Sequence, residues 1–144
     1  MKIVVVSGGF DPLHSGHINL LEQAATYGNK LVVLVNSDEW LIRKKGSFLL
    51  PCSERRIVTN SIVGVHSVLP DWDDSDGTAC NAIKDFHTRY KVKLNAPLLF
   101  ANGGDRVPNG SSLLSNKTTA LLSNLIAEPS GLLIPFFVLT ITAL

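Results

Sequence analysis

The sequence predicts one α/β domain built on a parallel sheet of about four to five strands. Three observations carry this. The chain has 144 residues, enough for one domain with a real core. Ile3–Val6 and Leu31–Val35 are unbroken apolar, β-branched runs, the pattern of strands covered on both faces. Between and after them, strand-like and helix-like patterns alternate, the signature of βαβ units.

The elements follow in order. After the first strand, apolar residues at 18, 20, 21, 24 and 25 have helical spacing, so a helix is expected over Ile18–Tyr27, stopped by Gly28-Asn29. The second strand is Leu31–Val35. Ser37 caps a short helix with Asp38 and Glu39 in its first turn and Trp40 and Leu41 inside it. Arg43-Lys44-Lys45-Gly46 is expected to be a basic, flexible stretch. A helix from about Glu54 to Ile62 leads to a short strand at Ser67–Leu69. Ser75 or Asp76 then caps a helix through Tyr90, and Pro97–Ala101 is the fourth strand. Right-handed crossovers put a ligand site at the carboxyl ends of such strands, in the loops after Val6, Val35, Leu69 and Ala101.

Composition narrows the function. Thirteen Lys and Arg against twelve Asp and Glu give a net charge of +1, so no overall field draws nucleic acid or an anionic membrane. Two cysteines, Cys52 and Cys80, are too few for a disulfide framework and suggest a reducing compartment. No signal peptide is read after Met1-Lys2, so a cytoplasmic place is expected. The chain changes character near Gly110, dividing into a domain at 1–110 and an apolar C-terminal segment at 111–144 whose charged residues are Lys117 and Glu128. Its end, Gly131–Leu144, contains Pro135 and falls short of the ~20 residues that span a bilayer; a buried hairpin or helix is expected.

The chemistry concentrates after the first strand, in Ser7-Gly8-Gly9-Phe10-Asp11-Pro12-Leu13-His14-Ser15-Gly16-His17. The glycines let backbone turn and approach a ligand. His14 and His17 stand one turn apart where a helix begins, and a helix N-terminus favours phosphate. A histidine metal pair is the weaker reading, because no third nitrogen or sulfur ligand lies nearby. The acidic run Asp71–Gly77 does not fit a calcium loop, whose sixth and twelfth places would be Asp76 and Ala82 rather than Gly and Glu.

This loop resembles the Gly-x-Phe-Asp-x-x-His-x-Gly-His (HxGH) signature of the nucleotidyltransferase, or cytidylyltransferase-like, superfamily. Asn36–Trp40 with Arg43–Gly46, the helix at Glu54-Arg55-Arg56, and Asn102-Gly103-Gly104-Asp105-Arg106 extend the likeness to about residues 2–106. The look is nearest to glycerol-phosphate and ethanolamine-phosphate cytidylyltransferases. The resemblance implies a Rossmann-like three-layer fold and transfer of a nucleotidyl group from a nucleoside triphosphate to a phosphorylated small molecule, releasing pyrophosphate. It implies catalytic His14, His17 and Lys44. A nucleotide would be held by Gly8, Gly9, Phe10, Asp11, Gly16, Lys45, Arg55, Asn102, Gly103, Gly104 and Asp105, with Asp11 holding Mg²⁺ directly or through water. CTP is favoured over ATP; a homodimer is compatible, and neither nucleic acid nor a membrane is expected as partner.

The sequence departs from this pattern late. Members carry a Gly-Ile-Ser-[Ser/Thr]-Thr-like segment that grips the triphosphate, and no match occurs here; no arginine follows Arg106. A non-catalytic or impaired nucleotide-binding remnant and an ATP-using adenylyltransferase are therefore the alternatives, and 111–144 is not expected to complete the site.

Overall fold

The computed structural model describes residues 2–72, 79–94, 98–102 and 136–140. Their elements are β1 (Ile3–Gly8), α1 (Ser15–Ala25), β2 (Lys30–Asn36), α2 (Asp38–Lys45), α3 (Cys52–Asn60), β3 (Val65–Trp72), α4 (Cys80–Leu94), β4 (Leu98–Asn102) and β5 (Phe136–Thr140). The five strands form one sheet in the order β3-β2-β1-β4-β5, every neighbouring pair parallel.

The apolar runs became central strands because both faces are covered. Val4, Val6, Leu31, Val33, Val35 and Leu99 turn to one side, where α1 contributes Leu21 and Ala24 and the start of α3 contributes Cys52. Ile3, Val5, Val32, Leu34, Leu98 and Phe100 turn to the other, where α4 packs Ala82, Ile83 and Phe86. Each fully buried Val, Leu or Ile is worth about 1.5–3 kcal/mol. The division follows from handedness. Right-handed crossovers leading outward from β1 to β2 and β3 put α1 and α3 on one face, and the return from β3 to β4 puts α4 on the other. The fold is therefore α/β in three layers.

Several boundaries differ from expectation. α1 begins at Ser15, three residues early, because His14 acts as its cap. Arg43–Lys45, expected to be flexible, are the last turn of α2, where cations suit the negative end of the helix. Gly46 ends that helix in the left-handed region (φ 88°), and its N–H donates to the Ile42 carbonyl at 2.8 Å. Where a buried hairpin or helix was expected, the described residues Phe136–Thr140 form a strand that pairs with β4 from Leu98↔Phe136 to Asn102↔Thr140. Ser75, Asp76 and most of residues 111–144 lie outside the described residues.

Candidate nucleotide site

The strand order reverses at β1, whose neighbours β2 and β4 lead to opposite halves of the sheet. A crevice opens at the carboxyl ends of strands where this happens, and the loop after β1 sits there. Phe10 has φ 50°, a left-handed conformation that costs roughly 1–2 kcal/mol for a non-glycine residue. Burial of its ring, 4% exposed, offsets that cost. The ring faces inward and meets His17 edge-on at 5.2 Å between centroids. A Cβ on Gly8 would stand 3.0 Å from the same ring, and one on Gly9 would stand 2.9 Å from Leu41 Cδ2. The ring of Phe10, a residue expected to touch the nucleotide, is thus buried against His17.

His14 caps α1. Its Nδ1 accepts the Gly16 N–H at 3.1 Å, and its own N–H donates to His17 Nδ1 at 3.2 Å, a reciprocal cap made by two imidazoles. The rings stack with centroids 3.8 Å apart and planes 27° from parallel. Gly16 has no room for a side chain, since a Cβ would lie 2.9 Å from His14 Cε1. A nitrogen that accepts an N–H carries no proton, so in each neutral ring the proton is on Nε2. Two Nε2–H donors therefore sit together at the positive end of a helix.

Asp11, expected to hold Mg²⁺ directly or through water, makes backbone contacts. It is buried, and its carboxylate accepts the N–H groups of Leu49 (Oδ2, 2.7 Å) and Leu50 (Oδ1, 2.9 Å). Each oxygen accepts one backbone amide and keeps a second lone pair, so the amides fix the orientation of the carboxylate. Among the described residues no three His, Cys, Asp or Glu side chains gather to hold a metal ion.

Arg55 was expected to hold the nucleotide. Its side chain is 0% exposed and turned into protein. Nε donates to the Leu50 carbonyl at 2.8 Å, Nη1 to the carbonyls of Gly9 (2.9 Å) and Asn36 (2.7 Å), and Nη2 to Asp38 Oδ1 at 2.6 Å. Four of its five N–H donors are thus used within the protein, which keeps it from the nucleotide. Asp38, expected as a helix-start acid, is the partner that sequence reasoning missed; its Oδ1 also accepts the Cys52 N–H at 2.8 Å. No local pattern links an acid to an arginine seventeen residues later.

The two lysines separate. Lys45 Nζ donates to the Asp11 carbonyl at 3.1 Å, which brings it to the loop after β1. Lys44 Nζ lies 4.6 Å from the centre of the Trp40 ring, one turn back on α2. Asn102 closes β4 on the other side of β1, while Gly103, Gly104 and Asp105 lie outside the described residues.

A profile described as cytidylyltransferase-like matches residues 5–111. The chain belongs to that family. Its relatives include the glycerol-3-phosphate cytidylyltransferase of Bacillus subtilis, 38% identical over 71 residues, which are 49% of this chain and 55% of that protein. The bifunctional protein HldE of Alkalilimnicola ehrlichii is 32% identical over 109 residues, 74% of this chain and 20% of that protein. This chain thus spans about a fifth of that much longer relative. Among solved structures, a lipopolysaccharide core biosynthesis protein from Thermoplasma volcanium superposes with a TM-score of 0.66 over 100% of this chain and 98% of that one. At 19% identity the likeness speaks for the fold. No described helix is long and apolar enough to cross a membrane.

Proposed function

We propose that this site transfers a nucleotidyl group from a nucleoside triphosphate, CTP in preference to ATP, to the phosphate of a small molecule. The observation that carries the reading is the histidine pair: two stacked imidazoles at the start of α1 whose Nδ1 atoms both accept backbone N–H groups. An oxygen of the acceptor's phosphate attacks the α-phosphorus. As that bond forms, the bond to the bridging oxygen breaks and pyrophosphate leaves with the electron pair. Negative charge grows on the α-phosphate and leaving-group oxygens, and donors fixed in advance stabilise it without reorganisation. His14 and His17 supply those donors, the start of α1 adds its positive end, and Lys45 adds a cation. The preference for CTP rests on the likeness to a glycerol-3-phosphate cytidylyltransferase. Mg²⁺, which neutralises phosphate charge, is proposed to enter with the triphosphate, with Asp11 holding it directly or through water.

The test is pyrophosphate release measured with each of four triphosphates against a panel of phosphorylated alcohols and sugars. Turnover with CTP exceeding that with ATP is the expected result. Faster use of ATP overturns the base preference alone. Tight nucleotide binding without turnover on any acceptor overturns the transfer reading in favour of a non-catalytic nucleotide binder.

A further inference from the structure

Among the described residues Phe10 is the one non-glycine with a left-handed backbone. A bulky side chain is a poor occupant of that region, and such outliers persist where the surrounding structure over-determines them, often at sites of chemistry. What the conformation achieves shows in the ring. Phe10 belongs to the apolar cluster under α1, with Val6, Leu21 and Ala24. On its strand side the ring closes against the end of β1, where a Cβ on Gly8 would stand 3.0 Å from Cζ and 3.2 Å from Cε2. On its other side it meets His17 edge-on, with ring planes 75° apart. The ring therefore joins the packed core to one imidazole of the pair.

An imidazole needs two kinds of contact to be fixed. The terminal torsion of histidine is broad and roughly two-fold, so its own rotamer chooses neither the plane of the ring nor which way round it sits in that plane. The His14 N–H, donating to Nδ1 of His17, settles the second choice, because a half-turn would put Cδ2 in place of the acceptor. A single hydrogen bond leaves the ring free to tilt about it. The plane is set by neighbouring rings, and of the two that touch His17, His14 is exposed whereas Phe10 is anchored in the core. Edge-to-face contact between rings is directional, so a fixed Phe10 gives His17 a fixed plane. We propose that Phe10 is a positioning residue for His17: its core-anchored ring holds the imidazole in the plane where Nδ1 receives the His14 N–H and the proton stays on Nε2. The consequence for turnover rests on the transfer reading above and deepens it, since a donor misplaced by about 1 Å can cost ~10²-fold.

The experiment compares the full wild-type chain with Phe10→Leu, which keeps apolar bulk and loses the ring, and with Gly8→Ala, whose Cβ presses on the ring. Imidazole nitrogen spectra at about pH 8.5, above the usual histidine range, report which nitrogen carries the proton. Expected in wild type are a His17 proton on Nε2 and cross-relaxation between the Phe10 and His17 ring protons. In Phe10→Leu the His17 signals should move toward a mixture of the two tautomers while those of His66 stay in place. The kcat with CTP and the acceptor selected by the panel should fall about tenfold or more, with nucleotide Kd within about threefold of wild type. Should Phe10→Leu not fold, Gly8→Ala decides: its His17 ring signals are expected to shift, and unchanged signals overturn the assignment. A wild-type His17 with its proton on Nδ1, no contact between the two rings, or a folded Phe10→Leu with wild-type His17 signals overturns it as well, with no turnover needed. A Phe10→Leu variant that binds nucleotide more weakly at unchanged kcat makes Phe10 a nucleotide contact and likewise overturns it. Wild-type protein lacking turnover sinks the transfer reading and the kinetic consequence with it, while the spectra still decide whether Phe10 sets His17.

Discussion

On one side of the β1 loop stand His14 and His17; on the other stand Asp11, Asp38 and Arg55. The first pair caps a helix at the surface, His14 exposed and His17 half-buried, with one nitrogen of each ring given to backbone. The second group is turned inward, and the Arg55 side chain has no exposure at all. Residue type alone makes both groups look like phosphate chemistry. Burial sorts them, because a charged group turned inward and bonded mostly to protein has less left with which to hold a ligand. The contrast is between groups that act on a ligand and groups that act on the groups that do.

The largest effect should come from removing the buried partner. Arg55→Ala leaves the carboxylate of Asp38 and the carbonyls of Gly9, Asn36 and Leu50 without their donor. Breaking a buried pair costs about 3–5 kcal/mol, and the lower end is expected because the Asp38 side chain is 29% exposed. The denaturant midpoint measures it; a loss under about 1 kcal/mol would put Arg55 with the surface groups.

Next come the histidines, where stability should hold and turnover should fall. Removing a fixed donor to transition-state charge lowers turnover ~10²–10³-fold, roughly 2.7–4 kcal/mol. His14→Ala and His17→Ala are each expected in that range, with His87→Ala as a control that changes little. Near-normal turnover in either variant would erase the distinction between the two sides.

The lysines sharpen it further. Lys45→Ala should weaken triphosphate or acceptor binding about tenfold, or about 1.4 kcal/mol, while Lys44→Ala, which loses its place over Trp40, should have a smaller effect. Titration of both variants with CTP and with acceptor compares them, and equal losses would show that Lys44 leaves Trp40 to reach the ligand. The smallest effect belongs to Gly46→Ala. A Cβ there meets nothing within 4 Å, so only the left-handed φ of 88° is penalised, by about 1 kcal/mol. A change in thermal midpoint too small to detect would mean that the end of α2 relaxes freely.

Much of this was legible in the chain itself. β-Branched runs are strands wherever a sheet covers both faces, so Ile3–Val6 and Leu31–Val35 were readable, and the spacing of His14 and His17 around Gly16 placed two imidazoles at a helix start. Local periodicity and local capping chemistry determine these features within a few residues. The cytidylyltransferase-like family was readable for the same reason, since its signature is contiguous.

Only the tertiary structure decided where the hydrogen bonds of Asp11 and Arg55 end. Asp11 meets amides 38 and 39 residues away, and Arg55 meets a carbonyl 46 residues away, separations at which sequence carries no period. The pairing of β5 with β4 was hidden likewise, because an apolar run can cover a helix as well as extend a sheet until the sheet presents an edge. The proton position on each histidine also waited for the fold, being set by which nitrogen a backbone amide reaches. Sequence fixes which groups a segment can offer; the packed sheet, by bringing loops after β1, β2 and α2 to one end, decides which are consumed by the protein and which remain for a ligand.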